Sequence, residues 1–190
     1  TDNNCSIFLH TLSCKHPNDA IIKHIQKSTV EFSGKEEFLI LPSERTNDII
    51  TEICPDICIC EDCLREMKTT TRRKSYPFIN CTNCGPRFTL ITDYPYDRIH
   101  TTMGEFNMCP ECRSEYNDPG NRRFHAQPTS CFNCGPHYEL HWQKEVFSDF
   151  QVLINQVSNN INSGKVVAMK GLGGYNLICD ATNRSAVDEI

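Results

Sequence analysis

Residues 60–90 read CEDCLREMKTTTRRKSYPFINCTNCGPRFTL, and residues 109–140 read CPECRSEYNDPGNRRFHAQPTSCFNCGPHYEL. Each stretch contains two C-x2-C pairs, separated by 17 residues in the first stretch and by 18 in the second. Both stretches also share a glutamate after the first pair, an arginine pair in the middle and a Cys-x-Asn-Cys-Gly-Pro run near the end. The middle of the chain is therefore an internal duplication with a period of about fifty residues.

The paired cysteines are candidate zinc ligands, because two thiolates on one tight turn present both sulfurs to the same ion. The eight are Cys60, Cys63, Cys81, Cys84, Cys109, Cys112, Cys131 and Cys134. A duplicated unit is most simply one that folds alone, which favours sequential pairing, with the first four cysteines on one zinc and the last four on a second. Interleaved pairing of the two copies is also compatible with the spacing. Four sulfurs leave no open coordination position, so we expect two closed, structural zinc sites.

A glycine follows the last cysteine of each copy, at Gly85 and Gly135. A knuckle turns backbone N–H groups towards the sulfurs, and this turn often requires a positive φ. Glycine adopts a positive φ without steric cost, so we expect that conformation at both positions.

Other potential ligands are expected not to bind zinc. Cys58 lies two residues before Cys60, but the second copy has no counterpart for it. His125 lies in an Arg-Arg-Phe-His-Ala-Gln stretch that we interpret as a surface strip, since its copy already has four cysteines. The remaining cysteines are expected to be small buried residues or free thiols, and the sequence assigns them no role. They are Cys5, Cys14, Cys54 and Cys179.

The composition excludes several classes of protein. Of the 190 residues, 38% are hydrophobic and 23% are charged, which is too apolar for a disordered tail. No apolar run approaches the about 18 residues of a membrane span, and the first residues do not have the pattern of a signal peptide. We therefore expect a cytoplasmic protein whose 13 cysteines are metal ligands and thiols, in preference to a secreted disulfide framework.

The charge of the chain argues against nucleic acid as the main partner. With 19 basic and 24 acidic residues the formal net charge is −5. A zinc module that binds phosphate backbones normally has a basic excess. The pairs Arg72/Arg73 and Arg122/Arg123 are interpreted as isolated basic spots.

Residues 1–43 are interpreted as the end of a small α/β unit. Three apolar residues at helical spacing predict a short helix that ends before Pro17. They are Ile7, Phe8 and Leu12. Residues 20–32 and 37–41 are rich in β-forming side chains and predict strands.

The sequence after Ser148 predicts a second α/β unit. Apolar residues at helical spacing predict a helix, which Ser148 or Asp149 can cap and which Gly164 can end. These apolar residues are Phe150, Leu153, Ile154, Val157 and Ile161. We then expect a buried strand at residues 166–169, a tight loop at 170–174 and a further helix at 181–190. This order is typical of an α/β domain, and since the chain begins at Thr1 and stops within the last predicted helix, we interpret it as a fragment.

The loop Lys170-Gly-Leu-Gly-Gly174 suggests phosphate binding but matches neither common fingerprint. Its lysine precedes the glycines, unlike that of a P-loop, and Asn176 stands where a dinucleotide-binding loop has its third glycine. By spacing alone it is a glycine-rich turn after a strand, either structural or functional.

Three runs in the middle of the chain resemble the zinc-finger region of the HypF family, the carbamoyltransferases of [NiFe]-hydrogenase maturation. They are CTNCGPRFTL at 81–90, YPYDRIHTTMGEFNMCPEC at 94–112 and EYNDPGNRRFHAQPTSCFNCGP at 115–136. The run GKVVAMKGLGGYNLICDATN at 164–183 is similar to the opening of that family's YrdC-like domain. Residues 8–25 and 36–43 resemble, more weakly, the second half of its acylphosphatase-like domain.

The resemblance implies an α+β multidomain fragment. Residues 1–43 would be the C-terminal half of an acylphosphatase-like domain, residues 44–145 the duplicated four-cysteine zinc-finger region, and residues 146–190 the start of a YrdC-like domain. A small zinc-stabilised module would then be flanked by partial α/β domains.

The resemblance also implies a reaction for the full-length protein. Carbamoyl phosphate is hydrolysed to carbamate, which ATP with Mg²⁺ converts to carbamoyl adenylate. The carbamoyl group then passes to the C-terminal cysteine of HypE, as the precursor of a cyanide ligand. Relatives of the YrdC-like part bind double-stranded RNA, which implies at most weak RNA binding, and no membrane partner is implied.

Departures from the family limit what the chain itself can do. No arginine precedes Arg45, so the family's catalytic arginine is absent and we expect no catalytic residue within these 190 residues. Asn176 stands where the family often has histidine. The resemblance assigns only four residues of this chain to the family's adenylate-forming pocket. They are Lys170, Gly171, Gly173 and Gly174. The alternative hypothesis is a free-standing zinc-ribbon module that binds a protein or RNA.

Overall fold

The protein is described by a computed structural model that covers residues 2–16, 20–31, 34, 53–69 and 72–190. Its contacts divide the chain into two units, Thr1–Asn47 and Asp48–Ile190. The second unit contains both helices and strands together with two four-cysteine groups, which confirms the expected α+β class.

In the part of the first unit that the structure describes there is one helix, α1 (Asp2–Lys15). It ends before Pro17, as predicted, because the residue before a proline is disfavoured in helical conformation. The predicted apolar triplet lies on this helix, but Ile7 and Phe8 are 56% and 63% exposed. Among the described residues, no helix combines the length and the apolar composition needed to cross a bilayer.

The strand predicted at residues 20–32 is wrong for the part that the structure describes. Residues 20–31 form neither helix nor strand, and Ile21 and Val30 are more than three-quarters exposed. A β-forming composition makes a strand only where a neighbouring strand accepts its hydrogen bonds. The described residues of this unit contain no such neighbour. The strand predicted at 37–41 lies outside the described residues.

Each copy of the duplication contributes a two-turn helix that starts directly after its first cysteine. Helix α2 (Glu61–Lys68) follows Cys60, and helix α3 (Pro110–Asn117) follows Cys109 and has proline in its first turn. A short 3-10 segment at Phe88–Leu90 ends the first copy, and two more lie between the copies, at Arg98–His100 and Thr102–Glu105. The first cysteine of each copy therefore lies at a helix N-terminus, and the second lies on the first turn.

The core between these elements is small and contains many cysteines. Its buried members are Cys63, Tyr76, Ile79, Cys81 and Cys84. Phe132, from the second copy, packs against this cluster, and its ring centroid lies 4.8 Å from that of Tyr76. So small an apolar core needs an additional source of stability, which bound metal can supply.

A short hairpin and a helix follow the second copy. Strand β1 (Leu140–Trp142) pairs antiparallel with β2 (Glu145–Phe147). Helix α4 (Phe150–Asn162) lies where the apolar periodicity predicted it, and Gly164 follows with φ of +80°. Of the two candidate caps, the structure selects Asp149, whose carboxylate accepts a hydrogen bond of 2.9 Å from the Val152 N–H.

The remaining residues form a second hairpin and a terminal helix. Strand β3 (Val167–Lys170) pairs antiparallel with β4 (Tyr175–Ile178), and α5 (Arg184–Glu189) follows as predicted. The prediction of a buried strand was wrong as to burial, because most of β3 is exposed. In the described residues the sheet has only these two strands, so neither strand is enclosed between neighbours. Strand β4 was not predicted.

Candidate metal centre

The structure gathers the eight paired cysteines into two groups of four. One group is Cys60, Cys63, Cys81 and Cys84, and the other is Cys109, Cys112, Cys131 and Cys134. Within each group all sulfur atoms lie within 4.8 Å of one another. The grouping is sequential, one group per copy, and the interleaved alternative is not observed.

The distances within each group fit a tetrahedral ion. In the first group the Cys81 sulfur lies 3.7 Å from that of Cys60 and 3.8 Å from that of Cys84. In the second group Cys131 lies 3.8 Å from both Cys109 and Cys134. A zinc–sulfur bond of about 2.3 Å places tetrahedral sulfurs about 3.8 Å apart. All thirteen cysteines are free, so disulfides do not explain this proximity.

The glycines at the matching turns of the two copies have different roles. Gly85 has a φ of +101°, as expected, and exchanges two backbone hydrogen bonds with Ile57, of 2.9 and 3.0 Å. Gly135 does not have a positive φ, so that prediction was wrong. A Cβ at Gly135 would lie 2.2 Å from the Tyr76 hydroxyl and 2.5 Å from the Ser130 Cβ. Glycine is therefore required at 135 by close packing between the two copies.

An arginine from the first copy contacts the cysteine group of the second. Arg72 donates from Nη1 to the Cys112 sulfur, at 3.3 Å, and from Nη2 to the Glu115 carboxylate, at 2.7 Å. Cys112 and Glu115 are three residues apart on α3 and so lie on the same face of that helix. One guanidinium therefore spans a candidate metal ligand and a carboxylate of the other copy.

The second copy makes the same contact in the opposite direction. Arg122 donates from Nη1 to the Cys63 sulfur, at 2.9 Å, and from Nη2 to the Glu66 carboxylate. Cys63 and Glu66 have the same spacing on α2 that Cys112 and Glu115 have on α3. The two copies thus exchange arginines with approximate two-fold symmetry.

The second arginine of each pair lies inside the module. Arg73 is 1% exposed and Arg123 is 3% exposed. Their Nε atoms donate to backbone carbonyls of the opposite copy, Arg73 to Ser130 at 2.8 Å and Arg123 to Asn80 at 3.1 Å. Each also forms ion pairs with both Glu66 and Glu115. A buried guanidinium is tolerated when its hydrogen bonds and charge are satisfied in this way.

These arginines correct two interpretations of the sequence. The pairs are not isolated basic spots, because their charges are paired with carboxylates of the module. The stretch around His125 is not a surface strip, since Arg123, Ala126 and Gln127 are buried. Sequence reasoning missed the network, although one signal was present. Both copies of the duplication retain the arginine pair and the glutamate on the first helix.

The arginines also set the charge state of the two glutamates. Burial raises the pKa of Glu66, but hydrogen bonds and charge from Arg123 and Arg122 outweigh it, and the pKa falls below its ordinary value. Glu115 is affected in the same way, by burial and then by Arg73 and Arg72. Both carboxylates are therefore ionised at neutral pH and available as ion-pair partners.

The other candidate ligands lie outside the two groups. Cys14, Cys54 and Cys58 are exposed, so they are free thiols and not buried packing residues. Cys5 and Cys179 are half-buried. His125 has a φ of +51°, and its ring lies against Tyr116 at a centroid distance of 4.7 Å.

The predicted glycine-rich loop is the turn between β3 and β4. Its ends are joined by a hydrogen bond of 2.7 Å from the Gly171 N–H to the Gly174 carbonyl. Lys170 lies at the end of β3, opposite Tyr175, and Gly173 has no neighbour that a Cβ would meet within 4 Å. Leu172 lines an apolar cavity of about 610 Å³ whose other walls include Phe78, Ile79 and Leu90. The turn therefore lies beside the first copy of the duplication.

Comparison with protein families gives two matches. The family described as HypF finger matches residues 59–91 and again residues 108–141. The Sua5, YciO and YrdC family, described as telomere recombination, matches residues 159–190. The first family therefore covers both four-cysteine groups, and the second covers the β3–β4 turn.

Similar proteins extend the comparison over the whole chain. A carbamoyltransferase HypF of Rhodobacter capsulatus is 49% identical over 139 residues, which are 73% of this chain and 18% of that protein. One of Synechocystis is 40% identical over 186 residues, 96% of this chain and 24% of that protein. A crystal structure of full-length HypF in a phosphate- and nucleotide-bound form superposes with a TM-score of 0.86 at 41% identity, covering 98% of this chain and 24% of that one. The chain spans about a quarter or less of the length of these relatives.

Proposed function

The chain belongs to the HypF family, and we propose that its two four-cysteine groups bind two structural zinc ions that hold together the finger region of a carbamoyltransferase. The observation that carries the proposal is the spacing of the sulfurs, which matches a tetrahedral site in both groups. The ligands would be the four cysteines of each copy.

Backbone N–H groups lie beside the sulfurs that would bind zinc. Cys60 and Cys109 lie at the N-termini of α2 and α3. The Asn83 N–H lies 3.4 Å from the Cys81 sulfur and donates to it. When bound, zinc would cross-link four thiolates and leave no position for substrate. We therefore assign these sites a structural role, with catalysis elsewhere in the protein.

For the whole protein we propose the reaction that its family resemblance implies. Carbamoyl phosphate is hydrolysed to carbamate and phosphate, and carbamate reacts with ATP, with Mg²⁺, to give carbamoyl adenylate and pyrophosphate. The carbamoyl group then passes to the C-terminal cysteine thiol of HypE with release of AMP. The names of the relatives and the phosphate- and nucleotide-bound form of one HypF structure support this proposal.

Within this reaction we assign the β3–β4 turn to the adenylate-forming pocket. Lys170 would supply a cation for a phosphate group, and Gly171, Gly173 and Gly174 would allow its close approach to the backbone. The match of residues 159–190 to the YrdC family supports this position. In this proposal residues 1–43 are part of an acylphosphatase-like domain, residues 44–145 the finger region and residues 146–190 the start of the YrdC-like domain.

The alternative, a free-standing zinc module that binds RNA or a protein, has less support. The arginines that could contact phosphates are paired with Glu66 and Glu115. The net charge of −5 also opposes phosphate-backbone binding. We retain at most weak double-stranded RNA binding through the YrdC-like part, and we place the reaction in the cytoplasm, where thiols stay reduced.

Metal analysis tests the zinc assignment. We expect two zinc ions per chain by elemental analysis and at most five reactive thiols in the native state, which are the 13 cysteines less the eight ligands. Denaturation with a chelator should make all thirteen reactive. One metal per chain, or thiols lost to disulfides, would contradict the assignment.

Nucleotide exchange tests the reaction. In a complete HypF protein that contains this chain, we expect carbamoyl-phosphate-dependent exchange of pyrophosphate into ATP, and Lys170→Ala should reduce it. Lys144→Ala, an exposed lysine in the β1–β2 turn, is the control and should leave exchange unchanged. The 190-residue chain alone should hydrolyse carbamoyl phosphate no faster than buffer. Exchange of pyrophosphate into ATP that does not depend on carbamoyl phosphate would overturn the proposal.

A further inference from the structure

We propose that each copy of the duplication, here called a finger (residues 60–90 and 109–140), donates a hydrogen bond from an arginine to a candidate zinc ligand of the other. Zinc retention at one site would then depend on an arginine of the opposite finger. The finger containing Arg72 would stabilise the site of Cys112, and the finger containing Arg122 would stabilise the site of Cys63. The inference rests on the zinc sites proposed above and adds a coupling between them.

Each arginine donates its hydrogen bond directly to the sulfur of a candidate zinc ligand. Arg122 lies 2.9 Å from the Cys63 sulfur and Arg72 lies 3.3 Å from the Cys112 sulfur, within the range of a charged N–H donor to sulfur. A zinc ion with four thiolates has a net charge of −2, and a guanidinium beside it offsets part of that charge. Hydrogen bonds to ligand atoms from outside the coordination sphere commonly change metal affinity by about 10- to 100-fold.

Each arginine is fixed by a second contact on the same helix. Arg72 also binds Glu115, and Arg122 also binds Glu66, each one helical turn beyond the cysteine. The planar guanidinium offers parallel N–H groups that can reach both partners at once. The contact therefore requires the correct fold of the helix that carries the ligand and of the loop that carries the arginine, which belong to different copies.

The direction of the effect distinguishes coupling from ordinary destabilisation. If Arg122 only supported its own finger, its loss would expose Cys109, Cys112 and their partners. If it holds the other finger's ligand, its loss would expose Cys63 and its partners first. The opposite pattern holds for Arg72.

Pulsed alkylation of the zinc-loaded chain in excess chelator, read by peptide mass spectrometry, resolves the two sites. In Arg122→Gln we expect alkylation of the first group to accelerate about 10- to 100-fold, with a smaller change in the second group. In Arg72→Gln the second group should accelerate instead. Arg122→Lys keeps the charge without the fork and should restore part of the protection.

Exposed arginines on the same helices supply matched controls. Arg113→Gln on α3 and Arg65→Gln on α2 should leave both rates unchanged. A variant of Arg122 that accelerates only its own finger, or neither, would overturn the coupling while the zinc assignment stands. An unmodified chain that retains no zinc would overturn the zinc assignment, and the coupling with it.

Discussion

Arg73 and Arg123 show how a charged side chain can occupy the interior of a module with little apolar core. Each guanidinium would be costly to bury alone, but each donates to a carbonyl and faces two carboxylates. The local sequence could not predict this burial, because an Arg-Arg pair usually lies at the surface. Only the retention of the same arginines and glutamates in both copies pointed to it.

Removing one of the two carboxylates should leave each of these arginines with a single charged partner. Glu66→Gln is expected to destabilise the zinc-loaded chain by about 2–3 kcal/mol, because Arg122 loses its ion pair and Arg73 and Arg123 each lose one of two charged hydrogen-bond partners. The thermal midpoint measures the effect. Glu61→Gln, an exposed position at the start of the same helix, is the control and should shift the midpoint little. Equal midpoints for both variants would argue against the network.

The same variant predicts a dependence on pH. The pKa of Glu66 in the folded chain lies below its ordinary value of 4.5, so its stabilising contribution is complete above that pH and is lost as the pH falls through the folded pKa. The difference in midpoint between the chain and Glu66→Gln should be constant from about pH 7 to pH 5 and shrink below pH 4.5. A difference that grows on acidification would contradict this sign.

At the scale of elements, the sequence predicted helices better than strands. Helix α4 has five apolar residues that recur with the helical period of about 3.6 residues, and this local pattern is sufficient to predict its position. Strands depend on partners that local sequence does not specify, which explains why residues 20–31 are not a strand and why β4 was missed. The burial of β3 was also wrong, since burial depends on which elements cover the sheet.

The start of α4 provides a test at this scale. Asp149→Ala should destabilise the chain by about 1 kcal/mol, because the Val152 N–H loses its acceptor. Ser148→Ala should have little effect, since the structure gives the cap to Asp149. Circular dichroism during thermal unfolding compares the two. A larger loss at Ser148 would show that the other candidate is the cap.

At the scale of the whole molecule, the sequence predicted the grouping of the cysteines but not the dependence of one group on the other. Duplication alone suggested two units that fold separately, and the sequential groups agree with that pairing. The exchange of Arg72 and Arg122 does not follow from spacing, because C-x2-C geometry is satisfied within each copy. Contacts between residues this far apart in the sequence can be identified only from the three-dimensional arrangement of the two copies.

Loss of one site should therefore weaken the other. In Cys84→Ser, independent copies would leave the second zinc as firmly held as before, whereas the shared contacts predict its release about tenfold faster in excess chelator. Native mass spectrometry counts the retained zinc over time. Cys58→Ser, an exposed cysteine outside both groups, is the control. An unchanged second site would favour independent fingers.

The exchange of arginines between the copies has the geometry of an isologous homodimer, in which residue i of one subunit meets residue j of its partner and j meets i. Here both partners belong to one polypeptide, joined by residues 91–108. A peptide with only the first copy would have Arg72 and Glu66 without their ion-pair partners. Two such peptides could form these ion pairs only by associating. Because both copies lie on one chain, this association is intramolecular and does not vary with protein concentration.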